Sequence, residues 1–450
     1  MAVETHRLPH RIGARWHAVR RRYKWWQLTL FAIGVIAAIS VLSALFFAVG
    51  NEPEHIYTDA TPPSIDSAEF ATAVATIVGA PVEHGGTITM LNNGDEFVPA
   101  LLDAVGHARR TINFAVYIWS EGEFSNALLA ALEKKQREGV SVRVLLDGLG
   151  SLKVPDQHFE ALVAAGGKVQ KFRTPKFGKL TRFHRRNHRR AIVIDGEVGF
   201  TGGMAVSDVW LGRAQDEDHW RDMMFKVTGP MARSLQTAFV DLWASSSGEL
   251  LIDSANYPVP APAVAEGIER FVHLASSPAD DDQSMAYFYL LPILAARETI
   301  YFAAPYYVPD AHLQDALVEK ARAGVDVRLL LPGHHIDNWI VRASAQARYQ
   351  ELLEAGVKVY EYQPTFMHAK YGIIDGQWSI IGSPNLNWRS RQLDEENAIG
   401  IFDPAFGKKL TATFFADLKP SRPIALEEWR GRNQMQKLFE TFAQILDQQS

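Results

Sequence analysis

The stretches NHRRAIVIDGEVGFTGG (residues 187–203) and MHAKYGIIDGQWSIIGS (residues 367–383) carry one pattern twice. In each, a histidine is followed two positions later by a basic residue and seven positions later by Asp-Gly. Successive side chains of a strand point to opposite faces, so the histidine and the basic residue share a face. Asp-Gly between two apolar runs is a strong hairpin signal. Each stretch therefore predicts a strand hairpin that presents an imidazole and a cation together.

The sequence around the two hairpins is duplicated as well. REGVSVRVLLDG (residues 137–148) is matched by RAGVDVRLLLPG (residues 322–333), and around both, apolar runs alternate with segments of helical spacing. Such β-α-β-α alternation predicts a sheet covered by helices. The repeat distance of about 180 residues is too long for a solenoid. We therefore predict an α/β fold with two similar halves.

The composition limits the chemistry that the chain can perform. Hydrophobic residues make up 47% of the 450 residues and charged residues 22%, as in folded proteins. The absence of cysteine excludes disulfides, thiolate catalysis and Cys-ligated metals. The sequence also has no P-loop and no dinucleotide-binding glycine pattern. We expect no cofactor and no metal.

An apolar segment near the N-terminus predicts a membrane anchor. Residues 26–49 carry no charge, and a span of the bilayer core needs about 20 apolar residues. Seven basic residues precede the segment, whereas Glu52, Glu54 and Asp59 follow it. The positive-inside rule then places the N-terminus in the cytoplasm and the remaining chain outside it. A cleaved signal peptide and a buried helix stay open, although a signal-peptide core has only roughly 7–15 apolar residues.

The remaining chain divides by composition and by repeat. We predict a basic N-terminus (1–25), the anchor (26–49), a linker (50–85), a first half (86–248), a joint rich in Ser, Pro and Ala (249–268), a second half (269–418) and a C-terminal segment (419–450). The last segment ends in an amphipathic helix. Its apolar face is formed by Leu438, Phe439, Phe442, Ile445 and Leu446. We predict that this face docks on the core, with membrane contact as the alternative.

The two hairpins supply the candidate catalytic residues. A lone histidine on an apolar strand is commonly a core residue, but two in matching places of a duplicated fold predict a site. Fixed cations offset the negative charge of a phosphodiester and of its transition state. A neutral imidazole can attack phosphorus, and a protonated one can release the alcohol. The candidates are His188, Arg190, Asp195, His368, Lys370 and Asp375.

Other positions of the hairpins are candidates for supporting roles. Asp195 and Asp375 belong first to the predicted turns, so bracing the strands stays open beside a contact with substrate. Small residues at the end of each return strand would let a phosphate approach the backbone closely. The supporting candidates are Gly202, Gly203, Ser383 and Asn385.

The second hairpin and its continuation resemble the HKD motif of the phospholipase D superfamily. The residues that carry this resemblance are His368, Lys370, Asp375, Gly382, Ser383 and Asn385. Similarity to bacterial cardiolipin synthases extends to LNNGDEFVPALLDAV (residues 91–105), HWRDMMFKVTGP (residues 219–230) and LEEWRGR (residues 426–432). The motif is specific because it occurs twice, and the resemblance covers roughly residues 86–446.

The resemblance implies a duplicated phospholipase D-like fold with pseudo-twofold symmetry and one active site shared by the halves. It implies a phosphohistidine intermediate without a metal, with His188 as nucleophile and His368 as acid, while the intact second motif keeps the reverse assignment open. It also implies that Asp222 and Glu396 orient the two histidines. The implied activity is phosphatidyl transfer, in which two phosphatidylglycerol molecules give cardiolipin and glycerol. Phosphodiester hydrolysis, by a phospholipase D or a nuclease, and lipid binding without catalysis stay open.

Two positions of the first motif depart from the family pattern. Arg190 stands where the family has Lys, and Ala205 stands where it has Asn. Arginine is always charged and binds phosphate, although its planar group is bulkier than an ammonium. The missing Asn removes one polar contact to phosphate. We expect an active enzyme because the second motif is intact.

A basic segment leads into the first motif. Between Lys171 and Arg190, nine residues are Lys or Arg, none is acidic, and aromatic residues are interleaved. This pattern predicts a lip that holds anionic lipid headgroups, with a nucleic-acid groove or a solvated loop as alternatives. The anchor favours the lipid interpretation, so we expect membrane phospholipid and no nucleic acid as partner.

Overall fold

The computed structural model describes residues 60–174, 185–258, 267–277 and 282–447, with Thr58 and short helical pieces at 25–27, 29–31, 33–35 and 38. Residues 1–56 and residues 57–450 form two units. Most of the predicted anchor lies outside the described residues, as do parts of the basic segment and of the joint. Within the part of the chain that is described, no helix is both long and apolar enough to cross a bilayer.

The larger unit starts with helix α1 (Ala68–Val78) and strand β1 (Val82–Glu83) and continues into a seven-stranded sheet. The strands of this first sheet are β2 (Ile88–Asn92), β3 (Thr111–Val116), β4 (Ser141–Asp147), β5 (Lys168–Phe172), β6 (Ala191–Ile194), β7 (Val198–Gly202) and β8 (Met223–Thr228). The helices of this part are α2 (Asn93–His107), α3 (Glu123–Arg137), α4 (Glu160–Ala164) and α5 (Pro230–Ser247). The strand order is β2-β8-β7-β6-β3-β4-β5.

A second sheet of nine strands follows. Its strands, besides β1, are β9 (Arg270–Ser276), β10 (Thr299–Ala303), β12 (Asp326–Pro332), β13 (Lys358–Tyr362), β14 (Tyr371–Ile374), β15 (Trp378–Gly382), β17 (Glu396–Phe402) and β18 (Ser421–Pro423). A separate pair is formed by β11 (Tyr307–Val308) and β16 (Leu386–Asn387). The helices are α6 (Ser284–Ala295), α7 (Ala311–Arg322), α8 (Trp339–Ala355), α9 (Trp388–Gln392), α10 (Pro404–Leu418), α11 (Leu426–Arg430) and α12 (Gln434–Asp447).

The two sheets repeat one topology. In the second sheet the order β9-β17-β15-β14-β10-β12-β13 matches the whole first sheet, and β1 and β18 are added at its edges. The strands β3, β4 and β5 are parallel, as are β10, β12 and β13. Because β1 pairs with β9, part of the predicted linker (50–85) belongs to the second sheet. An apolar cluster joins the sheets and includes Val193, Met223, Ile373 and Ile399.

The apolar face of helix α12 does not dock on the core as predicted. It packs along α8, yet its buried residues include Ala443 and Glu440. The Glu440 carboxylate lies 2.9 Å from the Arg432 guanidinium, and this pairing offsets the cost of burying its charge. The predicted core residues that are exposed instead are Leu438, Phe439 and Phe442. The side chains of Ile445 and Leu446 lie outside those described.

Both Asp-Gly pairs form the predicted turns. Asp195 and Asp375 have φ values of 56° and 51°, and the glycine after each is also in the left-handed region, as a hairpin turn of this kind requires. The Asp375 carboxylate accepts backbone N–H bonds of 2.8 Å from residues 297, 298 and 299. The Asp195 carboxylate accepts three such bonds, of 2.7–2.9 Å, from residues 109, 110 and 111. Each aspartate therefore ties its turn to the start of β3 or β10.

Replacing Asp375 by Ala should destabilise the protein and leave the chemistry intact. Three backbone N–H groups lose their acceptor, and an unsatisfied group costs about 1–3 kcal/mol if it stays out of water. Thermal unfolding of Asp375→Ala should therefore show a lowered midpoint, while Asp315→Ala on the exposed face of α7 should stay within about 0.5 kcal/mol of the parent. An unchanged midpoint together with lost turnover would make Asp375 catalytic.

Candidate active site

The chain forms a backbone bridge to the other half just before each motif histidine. The N–H of His188 donates to the carbonyl of Glu395 at 2.9 Å. In the matching place, the N–H of His368 donates to the carbonyl of Arg221 at 2.7 Å. These contacts belong to short parallel bridges between the halves. Each bridge aligns the residue that follows it on the opposite half with a histidine.

The residues aligned in this way are acidic, and each carboxylate binds the histidine of the other half. Nδ1 of His188 lies 2.8 Å from Oε1 of Glu396. Nδ1 of His368 lies 2.6 Å from Oδ2 of Asp222. All four side chains are buried. A carboxylate on Nδ1 fixes the orientation of a ring and leaves Nε2 for chemistry, as in a catalytic triad.

Asp222 is held by several donors in a tight space. Its carboxylate accepts the indole N–H of Trp210 at 2.9 Å and the backbone N–H of Met223 at 2.7 Å. A Cβ atom on Gly203 would lie only 2.1 Å from Oδ1 of Asp222. A side chain at Gly202, where φ is +145°, would collide with the carbonyl of Met223. The small residues thus make room for the carboxylate and its strand, a reason different from the predicted approach of phosphate.

Glu396 has a different environment in the second half. Ser383, which matches Gly203, donates its hydroxyl to Oε2 of Glu396 at 2.5 Å. The same serine accepts the backbone N–H of Asn397 at 3.0 Å. A glycine in one half and a serine in the other therefore perform related tasks, since each accommodates the carboxylate that orients a histidine.

The two cations of the motifs lie beside the backbone of their own histidines. Nη1 of Arg190 donates to the carbonyl of His188 at 2.7 Å. Nζ of Lys370 donates to the carbonyl of His368 at 2.9 Å and lies 3.1 Å from both ring nitrogens. Within the described residues, Nε of Arg190 is buried without a hydrogen-bond partner. An anion in the site would be a suitable partner for these cations.

Both histidines line one cavity of about 210 Å³. Its lining consists of Tyr117, Ile118, Arg186, His188, Arg190, Trp220, Tyr306, Asp337, Asn338, Val341, His368, Asn385, Asn387, Arg389 and Asp394. Asp195 lines a separate cavity, and Asp375 is not in the histidine cavity. Oδ1 of Asn385 is buried without a partner among the described residues, and Ala205 is buried. No group of three or more potential metal ligands occurs in the part of the chain described.

Several residues that line the cavity lie outside the candidate site residues of the sequence analysis. The hydroxyl of Tyr117 accepts from Arg186 at 2.8 Å, and the hydroxyl of Tyr306 donates to Asp337 at 2.7 Å. Asp394 lies between the cationic groups of Arg186 and Arg389, with 3.1 Å to Nε of Arg389. The acidic run at residues 394–396 was a usable signal, because three adjacent carboxylates that lead into a buried strand need partners.

Burial and nearby cations keep both histidines neutral in the empty site. Burial, reinforced by Arg190 and Lys370, lowers the pKa of His188 well below its usual value. Burial and Lys370 also lower the pKa of His368, to about 4, although Asp222 acts in the opposite direction. Burial lowers the pKa of Lys370 to about 7. The site is therefore short of negative charge, and binding of an anion would raise all three pKa values.

The two orienting carboxylates differ in charge. Burial alone would raise the pKa of Asp222, but His368 and Lys370 outweigh it and lower that pKa. Burial raises the pKa of Glu396 to about 7, and the hydrogen bond from Ser383 offsets only part of this effect. Asp222 is thus the more fully ionised carboxylate at neutral pH, so His368 is the ring that is better placed to hold a second proton.

The family model that matches this chain and two related proteins are described as cardiolipin synthases. The family described as cardiolipin synthase, phospholipase D-like domain, matches residues 101–243 and 290–418. Cardiolipin synthase A of Pseudomonas fluorescens is 35% identical over 80% of this chain and 74% of its own length. A cardiolipin synthase of Geobacillus thermodenitrificans is 34% identical over 81% of this chain and 73% of its own.

A solved structure shares the fold at low sequence identity. Phosphatidylserine synthase of Haemophilus influenzae superposes with a TM-score of 0.65 at 16% identity. The match covers 84% of this chain and 98% of that one. At this identity the likeness supports the architecture of paired α/β halves and carries no argument about substrate.

Proposed function

The chain belongs to the cardiolipin synthase family of phospholipase D-like proteins, and we propose that it joins two phosphatidylglycerol molecules into cardiolipin with release of glycerol. It is a phosphatidyltransferase of the phospholipase D type. The observation that carries the proposal is that His188 and His368, each bound to a carboxylate of the opposite half, line one cavity. A two-step displacement at phosphorus needs two imidazoles in one cavity, one to attack and one to transfer protons.

In the first step, Nε2 of His188 attacks the phosphorus of one phosphatidylglycerol. A nitrogen–phosphorus bond forms, and the bond from phosphorus to the glycerol headgroup oxygen breaks. His368, protonated on Nε2, gives its proton to that oxygen, so glycerol leaves as a neutral alcohol. Glu396 accepts a hydrogen bond from Nδ1–H of His188, which keeps the proton on Nδ1 and leaves Nε2 free for attack.

In the second step, the headgroup hydroxyl of another phosphatidylglycerol enters the place that glycerol left. Neutral His368 takes the proton of this hydroxyl while its oxygen attacks phosphorus, and the bond to His188 breaks. One phosphodiester replaces another, so the reaction needs no nucleotide. Water in place of the alcohol would give hydrolysis, and the products distinguish these two outcomes.

Electrostatics support this division of roles. A bound phosphodiester carries one negative charge, which raises the pKa of His368 from its low value in the empty site. The anionic Asp222 on Nδ1 stabilises the resulting imidazolium. Arg190 and Lys370 offset the charge that develops on the phosphoryl oxygens. Arginine keeps its positive charge at ordinary pH, so Arg190 in place of the family Lys still offsets charge on the phosphoryl oxygens. Because Ala205 replaces the family Asn of the first motif, the Asn contact to phosphate remains only in the second motif, at Asn385.

His188→Ala and His368→Ala should each abolish turnover, and the double variant should be little worse. Residues that act in one unit are not additive, because losing either one already removes the whole pathway. The measurement is conversion of labelled phosphatidylglycerol to cardiolipin and glycerol by the purified protein. His107→Ala, at an exposed position of α2, is the matched control and should keep parental turnover. Near-normal turnover in either single variant would refute a shared site.

The pH dependence above neutrality should be governed by Lys370. With a pKa of about 7, Lys370 loses its charge as pH rises, so the fall of kcat/KM that follows from deprotonation of His368 should steepen by up to about tenfold per pH unit above about pH 7. Lys370→Arg, which copies the natural Arg190, keeps its charge and should move this steepening to higher pH. Coincident pH profiles for the two proteins would exclude Lys370 as the titrating group.

The proposal also includes the side of the membrane that the catalytic unit faces. Seven basic residues precede the apolar segment 26–49, so the catalytic unit should face away from the cytoplasm and draw lipid from the outer leaflet. Protease added to intact spheroplasts should digest the catalytic unit, while a cytoplasmic marker protein stays intact. Full protection of the catalytic unit until lysis would show the opposite orientation.

A further inference from the structure

Helix α12 presents its large apolar side chains to solvent and its smaller or paired ones to the protein. Met435, Leu438, Phe439 and Phe442 are 76%, 66%, 43% and 54% exposed. One apolar face of a helix left in water costs free energy unless a partner covers it, so a contiguous patch of this kind marks an interaction surface. The partner must be identified from where the patch lies and from its charge.

The patch continues onto the wall of the active-site cavity. Trp339, which is 59% exposed, stacks on Phe439 with ring centroids 5.3 Å apart. Asn338, which precedes Trp339, and Val341, which follows Trp339 by two residues, line the cavity itself. We call the set Trp339, Met435, Leu438, Phe439 and Phe442 the rim patch. Whatever covers the rim patch is therefore adjacent to the cavity that holds the two histidines.

The first half exposes an apolar side chain beside the same cavity. Leu152 is 59% exposed and follows Ser151, whose hydroxyl donates to the carbonyl of Tyr117 at 3.2 Å. Tyr117 lines the cavity. Apolar groups from both halves thus lie next to the cavity lining. A protein partner that bound only α12 would not require the exposed apolar group of the first half.

Charge favours lipid as the occupant. Among the described side chains of α12, the one carboxylate that belongs to the helix, Glu440, is buried and paired with Arg432. Lys437 lies on the flank of the rim patch, and Lys153 follows Leu152 in the sequence. Among its described side chains, α12 thus has no exposed acidic group beside its apolar face, whereas the exposed Asp337 near Trp339 accepts a hydrogen bond from Tyr306. A helix with an apolar face and basic flanks is typical of helices that lie in an anionic bilayer surface.

We propose that the rim patch and Leu152 insert into the surface of a phospholipid bilayer and hold the cavity against it. A lipid headgroup could then reach His188 and His368 while its acyl chains stay in the membrane. The inference deepens the proposed function, which supplies the reason for a lipid to enter the cavity. The surface itself can be tested without any turnover.

The absence of natural cysteine permits single labels in the full-length chain. Leu438→Cys, Phe442→Cys and Leu152→Cys would each carry an environment-sensitive fluorophore, with the protein reconstituted into phosphatidylglycerol-containing vesicles. Arg137→Cys is the matched control, because it is exposed at the end of α3 that leads into the start of β4, opposite the strand ends near the cavity. We expect lipids with brominated acyl chains to quench the first three labels roughly twofold or more and to leave the control unchanged.

Labels at residues 438 and 442 that brominated lipid fails to quench would overturn the proposal, whether water or a second protein copy surrounds them. A double variant, Leu438→Ser with Phe442→Ser, gives an independent measurement. Its turnover of vesicle lipid should fall about tenfold, while turnover of short-chain phosphatidylglycerol below its micelle concentration should stay parental. Equal loss on both substrates would contradict docking. Quenching in a protein that forms no cardiolipin would refute the proposed reaction and still support docking.

Discussion

The exchange of carboxylates between the two halves is the interaction on which the site depends. Glu396 of the second half binds His188 of the first, and Asp222 of the first half binds His368 of the second. Neither half alone can orient its own histidine. A duplicated fold therefore yields one site and not two, since each half supplies a histidine to the carboxylate of the other half. The copies differ at one supporting position, where Gly203 leaves room for the Asp222 carboxylate and Ser383 donates a hydrogen bond to Glu396.

Such an exchange requires that the halves keep a fixed register. Arg189 is buried and donates to the carbonyls of Ala238, Ser276 and Glu396, and it also contacts Asp241 and Glu395. On the other bridge, Arg221 binds the Asp417 carboxylate through both Nε and Nη2. A buried arginine is tolerated only where its donors are satisfied. Arg189 directly follows His188 and Arg221 directly precedes Asp222 in the sequence, so the contacts that hold the halves together lie next to the histidine–carboxylate pairs.

Local chemistry explains what could be predicted from the sequence. The Asp-Gly turns and the duplicated strands are present in the structure. His188 and Arg190 line one cavity as expected, but they lie just before β6 (Ala191–Ile194) and not on a strand as predicted. The identity of Asp222 and Glu396 came only through family resemblance, and which histidine each one binds depends on bridges between segments far apart in the chain. The orientation predicted for α12 was wrong. Its apolar pattern predicts an amphipathic helix but does not show which face of that helix packs against the protein. The role of Gly203 depends on the Asp222 carboxylate packed against it, which no local signal reveals.

The account claims that one histidine becomes covalently attached to phosphate and the other does not. The direct measurement is a rapid alkaline quench of the unsubstituted protein during turnover of phosphatidylglycerol labelled at phosphorus, followed by peptide mapping of the label. Alkali is needed because a phosphohistidine bond is lost in acid. The account predicts label on the peptide that contains His188 and none on the peptide that contains His368. Label on both peptides, or turnover without any labelled histidine, would contradict it.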